Sequence, residues 1–509
     1  MGITKKVLGV YKRYGFRGFC TKLSEKINAP VRSYTKKVEE FLPTSEELLK
    51  QCQTNFTYQP YVSIVVPAYE TKPEFLEELF LSIQNQTYQK IELCIADASK
   101  TNQVEIVVEK IKNQWKQSNP LLRLQYMRLE ENRGISLNTN AGLKLVTGDY
   151  IGFMDHDDVL AKNALYEVVS VINQQKEAQL IYSDEDKVSY DLKKHTQPHF
   201  KPDFNLELIQ DNNYICHFLV ISKELLAKVK GFREEYDGSQ DYDFVLRCIE
   251  ETEQIRHIPK ILYHWRMHSA STAGDSDSKT YTFDAGQKAL QAHFLRQGIK
   301  AEVTKRIEVG CFYIKYQLPE NFQKQDYFLS KSDNVIPVTK DWEKELHSYC
   351  AQENVGIVGT KLITGNHKIK QNGLLFLEDG TILESFKGLP KDYKGYVRRA
   401  VLAQDLNAVS LDFAMIKKEA YDKVGGIDET LPYPYRDLDF CLKLKKAGYR
   451  IVQNSFVEGL EQGEDKKLRN EDTKKSKQIV FEKHKDILEG KDGFYNPNFS
   501  HNMKTFSIE

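Results

Sequence analysis

Four apolar strand runs in succession, each followed by a helical pattern, leave this chain few folds to choose from. The first, VSIVVPAY (62–69), is a continuous run rich in β-branched residues, the composition of a strand buried on both faces of a parallel sheet. Behind Pro73, which a first helical turn tolerates, Phe75, Leu76, Leu79, Phe80 and Ile83 recur at helical spacing. IELCIAD (91–97), a helical stretch through Lys112, LRLQYMRL (122–129), a helix from about Ser136 and YIGFMD (150–155) continue the alternation. Parallel strands need crossover helices, so the pattern predicts a doubly wound α/β sheet.

The remaining length calls for more folded units, because 509 residues exceed one domain at roughly 100–200 residues each. A third stretch, beginning near Cys311, partly copies the second: FLVISKELLAKVKGF (218–232) matches FAMIKKEAYDKVGGI (413–427) without a gap, and SQDYDFVLRC (239–248) is echoed by YRDLDFCLKL (435–444). No second VSIVVPAY run precedes that copy. The expected division is a basic N-terminal extension (1–58), an α/β domain (59–310) and a smaller, truncated relative of it (311–509). In the extension, Lys and Arg outnumber acids and alternate with Tyr11, Tyr14, Phe16 and Phe19, which suits an anionic membrane surface.

Charge and cysteine usage narrow the partners. Lys+Arg and Asp+Glu both number 72, so no global charge draws the chain to nucleic acid. The eight cysteines form no CxxC pair and read as reduced thiols. With no apolar run long enough for a membrane span and no secretory leader, the expectation is a cytoplasmic chain, peripheral at the inner face of the membrane if the basic extension binds there. Nothing in the sequence fixes an oligomeric state.

In open α/β sheets ligands bind beyond the carboxyl ends of the strands, and four such ends carry polar residues. Pro67, Tyr69 and Glu70 end the first strand, Asp97 the second, Arg133 follows the third, and Asp155-His156-Asp157-Asp158 ends the fourth. Carboxylates crowded at one strand end repel each other unless a cation compensates. A hard divalent ion, Mg²⁺ or Mn²⁺, held by Asp157 and Asp155 and shared with phosphate oxygens, answers that need. Neither GxGxxG nor GxxxxGK[ST] occurs, so phosphate must be gripped by metal and side chains, with Arg133, His264, Arg266 and His268 as helpers. His195 and His199 have i, i+4 spacing, but Pro198 and Pro202 disfavour the helix that such a zinc pair requires. Asp241 and Asp243 open a helix whose apolar face includes Phe244, Leu246 and Ile249.

With these residues in hand, positions 61–273 resemble the family-2 glycosyltransferases of GT-A fold. VSIVVPAYE looks like the family's opening strand, Asp97 falls at its base-recognising aspartate, Asp155-x-Asp157 matches its DxD, and Gln240-Asp241 stands where Glu-Asp is usual. YSDEDK (182–187), HFKPDF (199–204), NYICH (213–217) and LYHWR (262–266) resemble the subgroup that builds bacterial surface polysaccharides, often with two transferase modules in tandem. Ala96 and Gln240 depart from the common pattern, and residues 311–509 keep only Asp333 of a second DxD. The resemblance implies a metal-dependent, inverting transfer from a UDP- or dTDP-linked sugar to a glycan acceptor, lipid-linked if the basic extension holds the membrane. It implies Asp241 as general base, with Asp243 as second choice, and a second module that binds no donor. A nucleotidyltransferase and a non-catalytic subunit of a polysaccharide-assembly complex are the alternatives.

Overall fold

The computed structural model describes residues 31–268, 278–463, 470–501 and 505–508. Two helices, α1 (Val31–Lys37) and α2 (Ser45–Cys52), precede the first large sheet. Most of the basic extension, with Cys20, lies outside the described residues. Its described end is not a solvated arm, because Tyr34 is fully buried and Phe41 packs 5.4 Å from Phe200.

The sheet contains β1 (Val62–Ala68), β2 (Ile91–Asp97), β3 (Leu122–Arg128), β4 (Tyr150–Phe153), β5 (Val159–Leu160), β6 (Leu180–Val188), β7 (His195–His199), β8 (Leu219–Ser222) and β9 (Ile255–Arg266). Their order is β3-β2-β1-β4-β8-β6-β9-β5, with β7 beside β6. β1 to β4 are parallel, β8 reverses direction, and β9 runs parallel to β6, which gives the expected mixed, GT-A-type sheet. Every residue of β1 and β2 is buried. The helix α3 (Pro73–Gln84) buries the five apolar residues marked by spacing, and α4 (Gln103–Ser118) covers its neighbour with Val104, Val107, Val108, Ile111 and Trp115. Further helices are α5 (Ile135–Leu143), α6 (Ala164–Gln174), α7 (Leu206–Asp211), α8 (Lys223–Val229), α9 (Gln240–Glu251) and α10 (Ser278–Arg296).

The second large sheet repeats half of the first. Strands Tyr327–Lys331, Phe413–Lys417, Val355–Thr364, Arg450–Glu461 and Val335–Pro337 lie side by side in that order. Their relative directions are those of β4-β8-β6-β9-β5, and Ile369–Gln371 pairs with Val355–Thr364 as β7 pairs with β6. The repeat thus begins at the counterpart of β4, and this sheet contains no counterpart of β1, β2 or β3.

One hydrophobic cluster runs from Val65 in β1 to Val358 in the second sheet. Polar groups lock the seam: Asn205 exchanges hydrogen bonds with the backbone of Asp405 at 2.8 and 2.9 Å, and Arg450 Nη1 lies 2.9 Å from Glu207 and 3.0 Å from Asp405. Seven cysteines among the described residues are free, five of them buried. No helix among the described residues is long and apolar enough to cross a membrane.

Removing one partner from a buried ion pair leaves the other charges uncompensated, at a cost of about 3–5 kcal/mol. Arg450→Ala is therefore expected to lower unfolding stability by that amount in urea titration. A change below about 1 kcal/mol would show that the seam does not depend on this guanidinium.

Candidate active site

Parallel pairing brings the polar strand ends to one edge. Ala68 lies opposite Asp97 across β1 and β2, and Val65 lies opposite Phe153 across β1 and β4. Asp97 is fully buried, and its carboxylate accepts from the Ser99 N–H and the Tyr126 hydroxyl, both at 2.9 Å. Glu70, at φ 47°, accepts from the Lys100 N–H and the Thr101 hydroxyl at 2.8 Å. Pro67 is buried within β1, whereas the Tyr69 ring is 40% exposed beside this carboxylate pair. Arg133 is exposed, 3.7 Å from Glu131. It precedes Gly134, whose φ of 94° starts α5, and a Cβ there would lie 2.5 Å from the Asp237 carboxylate.

The loop after β4 is held from beneath by a buried guanidinium. Arg266, at the end of β9, is 1% exposed; it donates to the carbonyls of Asp157 and Tyr190 at 2.6 Å and lies 2.7 Å from Glu78. Its N–H donates to Asp158, 2.7 Å away, and the Tyr263 hydroxyl donates to the other Asp158 oxygen at 2.6 Å. Burial pushes the Asp158 carboxyl well above its ordinary range, with Asp157 and Asp155 adding to the push. Asp155 and Asp157 stand above this base. Asp157 Oδ2 lies 2.5 Å from His268 Nε2, and the Asp155 carboxylate has no hydrogen bond among the described residues. Carboxylates and an imidazole are donors that a divalent cation accepts, although among the described residues Asp155, Asp157 and His268 do not all bring their donor atoms within 4.8 Å of one another.

Asp241, in the first turn of α9, is half-buried and accepts from Asn213 Nδ2 at 3.0 Å. Burial raises its pKa, and the charge of Asp155 raises it further against the opposing influence of His217. His217 stacks on Tyr263 with ring centroids 4.9 Å apart. The loop that carries Asn213 and His217 is fixed by Lys201, fully buried, whose ammonium donates to the carbonyls of Ile215 and Cys216 at 3.2 and 2.8 Å and pairs with Glu185 at 3.2 Å. Lys201 belongs to HFKPDF and the loop is NYICH, so those motifs describe a scaffold for the carboxylate. Sequence reasoning gave no role to Lys201, Asn213, His217 or Asp158.

Two site candidates lie elsewhere. Asp243 is fully buried between Arg233 and Arg247, with Nε of each at 3.1 and 2.9 Å, so both its oxygens serve ion pairs. His264 Nδ1 lies 2.6 Å from Asp186, whose other oxygen lies 2.7 Å from His195 and accepts from Tyr34 at 2.5 Å. Successive strand residues face opposite sides of a sheet, so Asp186 points away from the face that Glu185 shares with Lys201. The donor atoms of Asp186, His195 and His264 lie within 4.8 Å of one another, a grouping that could also hold a metal. β7 is a strand, so His195 goes to Asp186 while His199 lies 3.6 Å from Glu185. Ser239 does not cap α9 with its hydroxyl, which donates to the Thr282 carbonyl at 2.7 Å.

Residues 63–230 match glycosyl transferase family 2, so the first unit is a domain of that family. Uncharacterized protein y4gI of Sinorhizobium fredii (strain NBRC 101917 / NGR234) is 28% identical over 571 aligned residues, covering 94% of this chain and 62% of the relative. O-antigen biosynthesis protein RfbC of Myxococcus xanthus is 25% identical over 491 residues, covering 81% of this chain and 38% of the relative. The chain thus spans less than two thirds of either. Among solved structures, S. aureus TarS 1-349 in complex with UDP-GlcNAc aligns with 46% of this chain and 66% of its own at 19% identity, with a TM-score of 0.38.

The guanidinium fork under the loop cannot be replaced by a point charge, and losing such a supporting partner typically lowers metal affinity about 10–100-fold. Arg266→Lys is expected to weaken Mn²⁺ binding by that factor in calorimetric titration. Unchanged affinity would mean that the fork does not position the acidic loop for a cation.

Proposed function

We propose that the chain is a metal-dependent inverting glycosyltransferase that moves a sugar from a nucleoside-diphosphate donor to a glycan acceptor in bacterial surface-polysaccharide synthesis. The observation that carries this reading is the pair Asp155 and Asp157 at the end of β4, set beside the half-buried Asp241 in a family-2 domain. The name of the Myxococcus xanthus relative, an O-antigen biosynthesis protein, supports the acceptor class.

In this reading Asp97, Glu70, Tyr69 and Pro67 form the nucleoside pocket for a uridine or deoxythymidine donor, and the exposed Arg133 reaches toward the phosphates. Asp157, Asp155 and His268 would hold Mn²⁺ or Mg²⁺, which when bound neutralises charge developing on the departing diphosphate. Asp241 takes the proton of the acceptor hydroxyl as its oxygen attacks the anomeric carbon, on the side opposite the bond to the diphosphate. That bond breaks as the new one forms, through an oxocarbenium-like transition state. Asp241 is preferred to Asp243 because it is half-buried and has no ion pair among the described residues, whereas Asp243 is neutralised by two arginines. Asn213 orients the base, and burial lifts its basicity toward the working pH. The second unit, lacking the strands that carry Asp97 and Glu70 in the first, binds no donor. A basic N-terminal extension at the inner membrane face would bring the enzyme to a lipid-linked acceptor.

Asp241→Asn should leave donor affinity within a few-fold and lower kcat by about 10²–10⁴. In the wild type kcat/KM should rise with pH through a pKa higher than that of an exposed aspartate, since the base works deprotonated and burial raises its pKa. An Asn variant that retains turnover, or loses donor binding equally, would move the base elsewhere.

A further inference from the structure

A cavity of about 660 Å³ lies in the second unit, bordered by Arg306 at the end of the first, and nothing in the reaction above uses it. Its walls come from strand Phe312–Tyr316, the start of helix Trp342–Cys350, residues 391–394 and a bulge in strand Arg450–Glu461. The bulge is part of the repeat. Strand pairing breaks register between Thr360 and Lys361 in the second sheet, as it does between Ser183 and Asp184 in the first. In the first sheet the chain's own C-terminal segment plugs the place: Asn496 Nδ2 donates to Asp184 at 2.8 Å and Asn498 Nδ2 to the Pro259 carbonyl at 3.0 Å. In the second sheet the corresponding place opens on the cavity, with Lys361, 4% exposed, in its wall.

The cavity is cationic with an aromatic wall. Seven Lys and Arg side chains line it against four Asp and Glu. Lys361 is paired with Glu458 at 2.5 Å, and Arg306 and Lys394 share Glu308 at 3.1 and 2.5 Å. Lys315, Lys340, Lys344 and Lys391 have no ion pair among the described residues, nor do the lining acids Asp341, Glu345 and Asp392, so the lining keeps an excess of three basic side chains over acidic ones. Tyr313 and Phe456 meet edge to face at 4.9 Å in the same wall, where the Thr339 hydroxyl donates to the Phe456 carbonyl at 3.3 Å and the Ser455 hydroxyl donates to Asn372 at 3.1 Å. Rings for an apolar sugar face and an excess of ammonium groups for an anion match an acidic saccharide.

The cavity also connects with the candidate base. Asn213 binds Asp241, and its neighbour Asn212 donates to the Gly310 carbonyl at 2.9 Å and bridges to Cys311, two residues before Tyr313 in the cavity wall. We infer that this cavity of the second unit binds a carboxylate- or phosphate-bearing sugar of the growing acceptor chain and so holds that chain for transfer in the first unit. The assignment of this ligand as acceptor rests on the transferase reading; the binding of an acidic saccharide does not.

The test titrates the full chain with trigalacturonate, glucose 6-phosphate and neutral maltotriose, alongside a Lys344→Gln/Lys391→Gln variant. At least one acidic probe should bind more tightly than maltotriose, weaken as salt rises, and lose roughly tenfold or more in affinity in the variant, as expected for two lost charge-assisted contacts. Which acidic probe binds identifies the source of the charge. No binding by either acidic probe, equal binding by maltotriose, or unchanged affinity in the variant would overturn the inference. Binding of UDP with Mn²⁺, measured on the same samples, should be equal in wild type and variant; its absence from both would remove the donor reading and leave this one standing.

Discussion

A buried guanidinium organises the acidic loop. Arg266 fixes the Asp157 backbone, its own N–H satisfies Asp158, and Glu78 balances part of its charge. Without it, carboxylates at neighbouring positions would drive one another into solvent, because like charges at this spacing cannot share a strand end uncompensated. With it, one carboxylate is sunk and hydrogen-bonded while Asp155 and Asp157 remain available above.

The two sheets show what each half of such a unit does. Counterparts of β4 to β9 recur in the second sheet with the same strand order and directions, while that sheet holds no counterpart of the strands that lead to Asp97 and Glu70. The duplicated acids have changed character. Asp437, at the repeat position of Asp241, is fully buried, accepts from the Leu411 N–H at 2.9 Å and pairs with Arg436 at 3.1 Å. Glu461 faces Val335 as His264 faces Val159, and it pairs with Lys370 at 2.6 Å. Both carboxylates are thus tied into ion pairs within the second unit.

Much of the first sheet was legible because strands buried on both faces must be apolar throughout; Ile91–Asp97 can be read from composition alone. The extent of the second sheet was not, since Tyr327–Lys331 is an edge strand without a fully buried residue, whose apolar run is only Tyr327-Phe328-Leu329. Asp241 and Asp243 look alike in the sequence, yet residues two apart on a helix face different directions. One reaches the loop of Asn213, the other the arginines at 233 and 247. His264 could not be assigned from its neighbours, because the group that engages it, Asp186, lies 78 positions away. The Asp155-x-Asp157 pair was visible because both acids lie within one strand end.

The central claim is that Asp155, Asp157 and His268 seat a divalent cation on which an activated sugar nucleotide is bound. Anomalous diffraction from crystals soaked with Mn²⁺ and a UDP- or dTDP-sugar tests it most directly. The account predicts a manganese peak within about 2.0–2.3 Å of Asp157 oxygen, bridging to the diphosphate, with the base beside Asp97. A peak at Asp186, His195 and His264 instead, or a donor bound away from the end of β4, would contradict it.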